Sequence, residues 1–340
     1  MRAGPSAVTS SASDRTGALD RLDDAARGGV ASVVGRLFAP VEVGSRRFPS
    51  IAISVLAAIG AALLLIIATT EWRHFNDEHA YWLAGARLAA GEPLYDPGAA
   101  SNTPFAYWYP PPLAQVLAPI TSVVSADAFS AAWTAILLAC LWWLGGRDLF
   151  AALALVAFLP VAVELRVRNV HLVMAVLAVL ALRRSWAFWI PAAAIKLTPV
   201  LGIAYLAAAG RWRDAVKVGA LGLVVLAVSV ALAPGAWREF FDVVGTRAGA
   251  EGGALVPIPF ALRFGVGAGL VILAGRLALR ARVAGASGLG AEVLLIVALT
   301  VANPTLWATA LSMLVAIVPL WRTAGTAKVA TPDKGRARRG

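Results

Sequence analysis

From residue 51 onward, apolar runs alternate with short polar gaps. The first run, Ile51–Thr70, is long enough to cross a bilayer as one helix. Further runs are Ala126–Gly145, Leu149–Glu164, Val170–Leu182, Trp186–Gly210, Val216–Ala233, Pro259–Leu277, Ala291–Ala302 and Pro304–Trp321. Several fall short of the ~20 residues a full span needs, which predicts tilted or broken helices around an interior space. The Trp186–Gly210 run carries Lys196-Leu197-Thr198-Pro199 in its middle. Proline disfavours helix at the residue before it, so this run predicts a pair of short helices broken there.

Basic residues fix an orientation. Arg46 and Arg47 precede the first run and place the N-terminus in the cytoplasm. Arg147, Arg183/Arg184, Arg211/Arg213/Lys217, Arg276/Arg280/Arg282 and the tail after Trp321 stand at alternate run ends and belong on the same side. With the broken run counted as two, the expectation is about ten transmembrane helices with both termini cytoplasmic, in a plasma membrane. Residues 1–48 read as a disordered cytoplasmic tail, 49–322 as one membrane domain and 323–340 as a basic cytoplasmic tail. The first tail is too long and mixed for the leading region of a signal peptide, so Ile51–Thr70 reads as a retained anchor.

Composition agrees. Apolar residues make up 59% of the 340, charged residues 14%, and mean hydropathy is +0.75. A soluble domain is about a quarter charged. The net charge of +11 does not point to nucleic acid, because the bases sit at segment ends and not on one soluble face. The single cysteine, Cys140, lies in an apolar run and reads as a small buried hydrophobe. No internal repeat of a transporter kind is evident.

The polar segments expected outside are 71–125, 164–169, the surroundings of Lys196, and 234–258. The first is the largest. Its 71–96 part reads as a juxtamembrane helix lying along the membrane surface, with Asn76 as cap. Gly98 to Pro112 reads as an extended loop because of its prolines. Charge held where a chain leaves the bilayer is expensive unless it has work to do, which singles out Asp77 and Glu78.

At these residues the chain resembles glycosyltransferase family 87, polyprenol-phosphate-mannose-dependent alpha-mannosyltransferases of the multispan GT-C superfamily. The resemblance rests on Asp77, Tyr81, Ala84, Gly91 and Leu94-Tyr95, on Phe105 with Tyr109-Pro110-Pro111, on Lys196 and Pro199 followed by Arg211-Trp212-Arg213, and on Pro304 and Trp307. It departs at Arg168-Asn169, where the family often has glycine before the amide. It departs also at Ala308-Thr309, where a histidine is usual, and at Glu251-Gly252-Gly253. It implies an all-α polytopic GT-C bundle with a large first extracytoplasmic loop. The implied partners are a polyprenyl-phosphate sugar donor, a glycolipid or glycan acceptor and membrane lipid, with no nucleic acid, cofactor or metal. The implied reaction moves a hexose, in the family mannose, with inversion, Asp77 acting as general base.

Transfer from a lipid phosphate also needs positive charge on the departing phosphate, which Arg and Lys supply. The candidates facing outward are Arg166, Arg168, Lys196 and Arg247, with His171 as a further phosphate contact. Lys196 is the most telling, since a charge inside an apolar run costs ~2.5–3.5 kcal/mol. The plainer reading is that its ammonium snorkels to the interface. Glu78, Tyr81, Tyr107 and Tyr109 are the substrate-binding candidates, the tyrosines either stacking on a sugar or forming an interfacial aromatic belt. Glu78 lies about 100° around the helix from Asp77 and so faces elsewhere, toward solvent or acceptor. Asp77 itself has the plainer reading of a helix cap or a partner for Arg73, and with His74 and Glu78 it has metal-site spacing. The alternatives in function are the same fold using polyprenyl-phosphate arabinofuranose, a lipid or solute transporter, and a non-catalytic scaffold.

Overall fold

The computed structural model describes residues 41–43, 46–70, 76–96, 105–247, 258–304 and 306–322. A three-residue ladder, β1 (Val41–Val43) antiparallel to β2 (Arg46–Phe48), stands at the end of the segment read as a tail. The rest is helical: α1 (Ile51–Thr69), α2 (Asp77–Ala90), α3 (Pro111–Thr121), α4 (Ala126–Leu144), α5 (Leu149–Val156), α6 (Leu159–Val167) and α7 (His171–Arg183). After a 3₁₀ turn at Trp186–Phe188 come α8 (Trp189–Ile195), a second 3₁₀ turn at Thr198–Val200, and α9 (Leu201–Ala208). Then follow α10 (Trp212–Leu232), α11 (Pro234–Arg247), α12 (Phe260–Val283), α13 (Leu289–Val301) and α14 (Ala308–Arg322), the last mostly 3₁₀.

The protein is an all-α polytopic membrane protein. Helices α1, α4, α10 and α12 are each long and apolar enough to span alone. Their large side chains stay open in the isolated chain, Leu65, Leu223 and Leu232 being 65%, 66% and 71% exposed, as side chains that face lipid do. The Leu149–Glu164 run is not one straight helix: α5 and α6 meet at 88°, with Pro160 in the first turn of α6, where its missing N–H costs nothing. The Trp186–Gly210 run breaks as expected, Lys196 standing extended between α8 and the Thr198–Val200 turn.

Small residues set the packing. Gly60 lets α1 lie against the Leu153 carbonyl of α5, and Gly275 lets α12 lie against the Tyr205 carbonyl of α9. A Cβ at either would collide with backbone, the close-approach arrangement of membrane helices. The central core contains Leu137, Leu172, Met174, Trp189, Leu295 and Met313.

Helix α2 buries one face in protein: Ala80, Tyr81 and Ala84 are buried and Gly85 packs on Thr121 of α3. One expectation in the first loop is corrected. Pro111 and Pro112 do not extend the loop but open α3, because the first helical turn needs no N–H.

Arginines at one end of the bundle close helix C-termini: Arg322 donates to the Gly145 carbonyl, and Arg282 Nη2 to that of Ala209 at 3.0 Å. Arg183 joins Glu292 at 2.6 and 2.7 Å and the Leu320 carbonyl at 3.2 Å. Helices α4 and α7 run from this basic end to the opposite one, where Ser130 bonds Glu78, Trp133 packs on Tyr81 and His171 begins α7.

Candidate active site

Helix α2 brings Asp77 and Tyr81 to one face, because residues four apart stack on a helix. The turn after α6 supplies Asn169. Its Nδ2 donates to Asp77 Oδ2, and its Oδ1 accepts from Tyr109 O–H at 3.1 Å and from the Val170 N–H at 2.7 Å. Tyr81 O–H donates to the Tyr109 hydroxyl at 3.0 Å. The result is a chain of donors, Tyr81 to Tyr109 to Asn169, that ends on the Asp77 carboxylate. Tyr95 O–H donates to the Tyr109 carbonyl at 2.6 Å and Tyr107 O–H to that of Pro110 at 2.9 Å, which fixes the tyrosine loop.

Asp77 is half-buried on α2, which lies outside the spanning segments. Burial, and then the nearby Glu164 carboxylate, push its carboxyl up to about 7 against the pull of the Asn169 amide and the Lys196 ammonium. A base poised near neutral pH is the kind general catalysis uses. Lys196 enters from the break between α8 and α9, with Nζ 5.6 Å from the centre of the Tyr109 ring and close enough to Asp77 for their charges to interact.

A buried acid, Glu164, stands below. Its Oε1 accepts the N–H groups of His171 (2.5 Å) and Leu172 (3.2 Å) at the start of α7, and its Oε2 lies 3.1 Å from His171 Nδ1. His171 Nε2 lies 2.7 Å from Lys196 Nζ. Both ring nitrogens of His171 are therefore engaged, and His171 meets Lys196 where a direct phosphate contact was expected.

The expectation of a solvated Glu78 is corrected. It points away from Asp77, as the helical spacing requires, but into protein, with 2% exposure. Arg168 Nη1 donates to its Oε1 at 2.5 Å and to Ser130 Oγ at 2.6 Å, while Ser130 donates to the same Oε1 at 2.9 Å. Arg168 thus answers a carboxylate first, although its side chain stays 30% exposed. It stands at φ 55°, the left-handed conformation that closes α6, and its carbonyl accepts from Trp133 Nε1 at 2.9 Å. Arg166 lies two residues earlier, in the last turn of α6, near Arg168.

Tyr81, Tyr107 and Tyr109 are buried and pack on one another and on Trp133, so they form an inner aromatic cluster and not an interfacial belt. Arg73, His74 and the Glu251-Gly252-Gly253 segment lie outside the described residues, as does the side chain of Arg247. A concavity of about 280 Å³ opens elsewhere, between the exit of α2 and α11, beside Leu94 and Glu239. Glu239 Oε2 accepts the Leu94 and Tyr95 N–H groups there, at 2.9 and 3.1 Å.

Sequence reasoning missed Glu164, Asn169 as the partner of Asp77, and Ser130. For Glu164 a signal was present: a carboxylate at the edge of an apolar run carries the same cost that drew attention to Lys196.

The chain is thus a bundle of apolar helices in which an acid, Asp77, and a cation, Lys196, stand near each other at the end opposite Arg183, Arg282 and Arg322. The model of glycosyltransferase family 87 matches residues 107–331, two thirds of the chain, and the chain belongs to that family: it is a membrane glycosyltransferase. The matched region contains Tyr107, Tyr109, Arg166, Arg168, His171 and Lys196, while Asp77, Glu78 and Tyr81 precede it and join through their contacts. No curated protein and no solved structure matches the chain.

Proposed function

We propose that the chain transfers a hexose, mannose in the first instance, from a polyprenyl-phosphate donor to a hydroxyl of a glycolipid or cell-envelope glycan on the outer face of the plasma membrane. The observation that carries this reading is that Asp77 and Lys196, both partly open to solvent, lie near enough for their charges to interact, with Lys196 Nζ 5.6 Å from the centre of the Tyr109 ring. Asp77 takes the proton of the acceptor hydroxyl as its oxygen attacks the anomeric carbon. The bond from that carbon to the phosphate oxygen breaks, prenyl phosphate leaves with the electron pair, and the configuration inverts. Lys196, with Arg166 and the open part of Arg168, meets the charge of the departing phosphate.

The placement of the site supports an outer-face reaction. Arg183 and Arg322 lie at the other end of α4 and α7, and the cytoplasmic side of membrane proteins collects such residues. On the outer face a lipid carrier replaces a soluble nucleotide sugar. The test is transfer of labelled sugar in membranes containing the protein, with polyprenyl-phosphate mannose and polyprenyl-phosphate arabinofuranose supplied separately. Transfer from the mannose donor, giving a product inverted at the anomeric carbon, supports the reading. Transfer from the arabinofuranose donor alone replaces the sugar and keeps the mechanism. Transfer from neither removes the lipid-phosphate donor.

A further inference from the structure

Glu164 and His171 take no part in the transfer as written, yet both are buried, His171 in direct contact with Lys196 and Glu164 linked to it through His171. We infer that Glu164 and His171 form a positioning relay that aims the Lys196 ammonium at the donor phosphate, an inference that rests on the reading of Lys196 as the partner of that phosphate. A carboxylate only accepts, so the hydrogen shared with Glu164 Oε2 sits on His171 Nδ1. A neutral ring then presents Nε2 as an acceptor, which suits an ammonium that only donates, 2.7 Å away. Any other state of the ring sets a donor against a donor. One of the three ammonium hydrogens is thereby committed to His171, and the other two are left for an oxyanion on the side of Tyr109 and Asp77.

The contacts of Glu164 assign it two duties. Oε1 caps α7 through the His171 and Leu172 N–H groups, and Oε2 sets the ring. Glu164→Gln separates them. The glutamine oxygen still caps α7, but its amide nitrogen donates, so His171 must accept at Nδ1 and carry its hydrogen on Nε2, opposed to Lys196. The ammonium then loses its anchor while the fold keeps its cap.

The experiment measures the Kd of the full-length protein in detergent for polyprenyl phosphate, in wild type, Glu164→Gln, Lys196→Met and the double variant, together with Tm. Each single variant is expected to weaken binding about tenfold, and the double variant no more than Lys196→Met alone, since residues acting as a unit are not additive. The Tm of Glu164→Gln is expected to stay near that of wild type. A Glu164→Gln loss that multiplies with that of Lys196→Met, or one that comes only with a lowered Tm, overturns the relay and leaves the role of Lys196 standing. Wild-type binding that Lys196→Met does not weaken, or no wild-type binding, overturns the reading of Lys196 and the relay together. Should Glu164→Gln not fold, His171→Leu in the same cycle removes the ring nitrogen that receives Lys196 and leaves the carboxylate on its cap; the same non-additivity is expected, and additivity overturns the relay.

Discussion

Asn169 holds Asp77 by a single hydrogen bond from its amide nitrogen, while its amide oxygen is fixed by Tyr109 and by the Val170 N–H. The amide therefore cannot flip without opposing two donors, and it offers Asp77 a hydrogen in one direction only. Asn169→Ala removes that donor. The Asp77 carboxyl then rises further above about 7, because the Asn169 bond is among the influences pulling it down. Transfer is expected to fall by about tenfold to a hundredfold at neutral pH, as for loss of a bond of ~1.5–3 kcal/mol to a charged group. The midpoint of the pH–rate curve is expected to move upward, which a full pH profile of the variant checks.

In the wild type, the same carboxyl sets the pH dependence. A general base works only when ionised, so the transfer rate is expected to rise through about pH 7 and level off above it. Stability runs the other way. The folded pKa lies above the ordinary carboxylate value, so this group's stabilising contribution is complete below about pH 4 and lost as pH rises through about 7. Asp77→Asn is accordingly expected to melt higher than wild type at pH 8, by about 2–4 °C per kcal/mol of relief, and to show no gain at pH 4. Thermal unfolding at the two pH values measures this.

Arg168 is expected to be a stability residue as much as a binding one. Glu78 is buried, so Arg168→Ala leaves a carboxylate without its cation, a loss on the order of 3 kcal/mol. The φ of 55° adds a second, separable effect: Arg168→Gly takes the left-handed conformation freely and is expected to be about 1 kcal/mol less damaging than Arg168→Ala. Adding Glu78→Gln to either variant is expected to restore part of the loss. Melting temperatures of the four proteins decide it.

Arg263 is buried at the start of α12. It donates to the carbonyls of Ile258 (3.0 Å), Asn303 (2.6 Å) and Pro304 (2.8 Å), tying the α13–α14 turn to the foot of α12. Arg263→Met is expected to destabilise by roughly 3 kcal/mol, since buried carbonyls lose a charged donor. Faster proteolysis between residues 302 and 307 than in wild type is the expected readout.

How far the sequence reached depends on the kind of signal each residue leaves. The break at Lys196 was legible because a charge in an apolar run, followed by Pro199, interrupts a helix. The gathering of arginines at run ends was legible, and the structure puts Arg183, Arg282 and Arg322 onto helix carbonyls at one end. The tie between Asp77 and Asn169 was not legible, because it depends on a turn whose position relative to α2 only tertiary packing sets. The left-handed arginine was hidden for a related reason. The family resemblance places a glycine where Arg168 stands, and φ of 55° is the conformation a glycine there would serve; composition alone carries no sign that an arginine holds it. The 88° bend between α5 and α6 was missed because the apolar run is continuous across Ala157 and Phe158, and hydropathy does not register direction.

The most direct test of the central claim compares wild type with Asp77→Asn in single-turnover transfer from polyprenyl-phosphate mannose to an acceptor lipid extract at pH 8. Both proteins are brought first to equal amounts of folded material. The account predicts transfer by the wild type and a loss of about a hundredfold or more in the variant, the scale at which a positioned base contributes. A variant that transfers at the wild-type rate would contradict it.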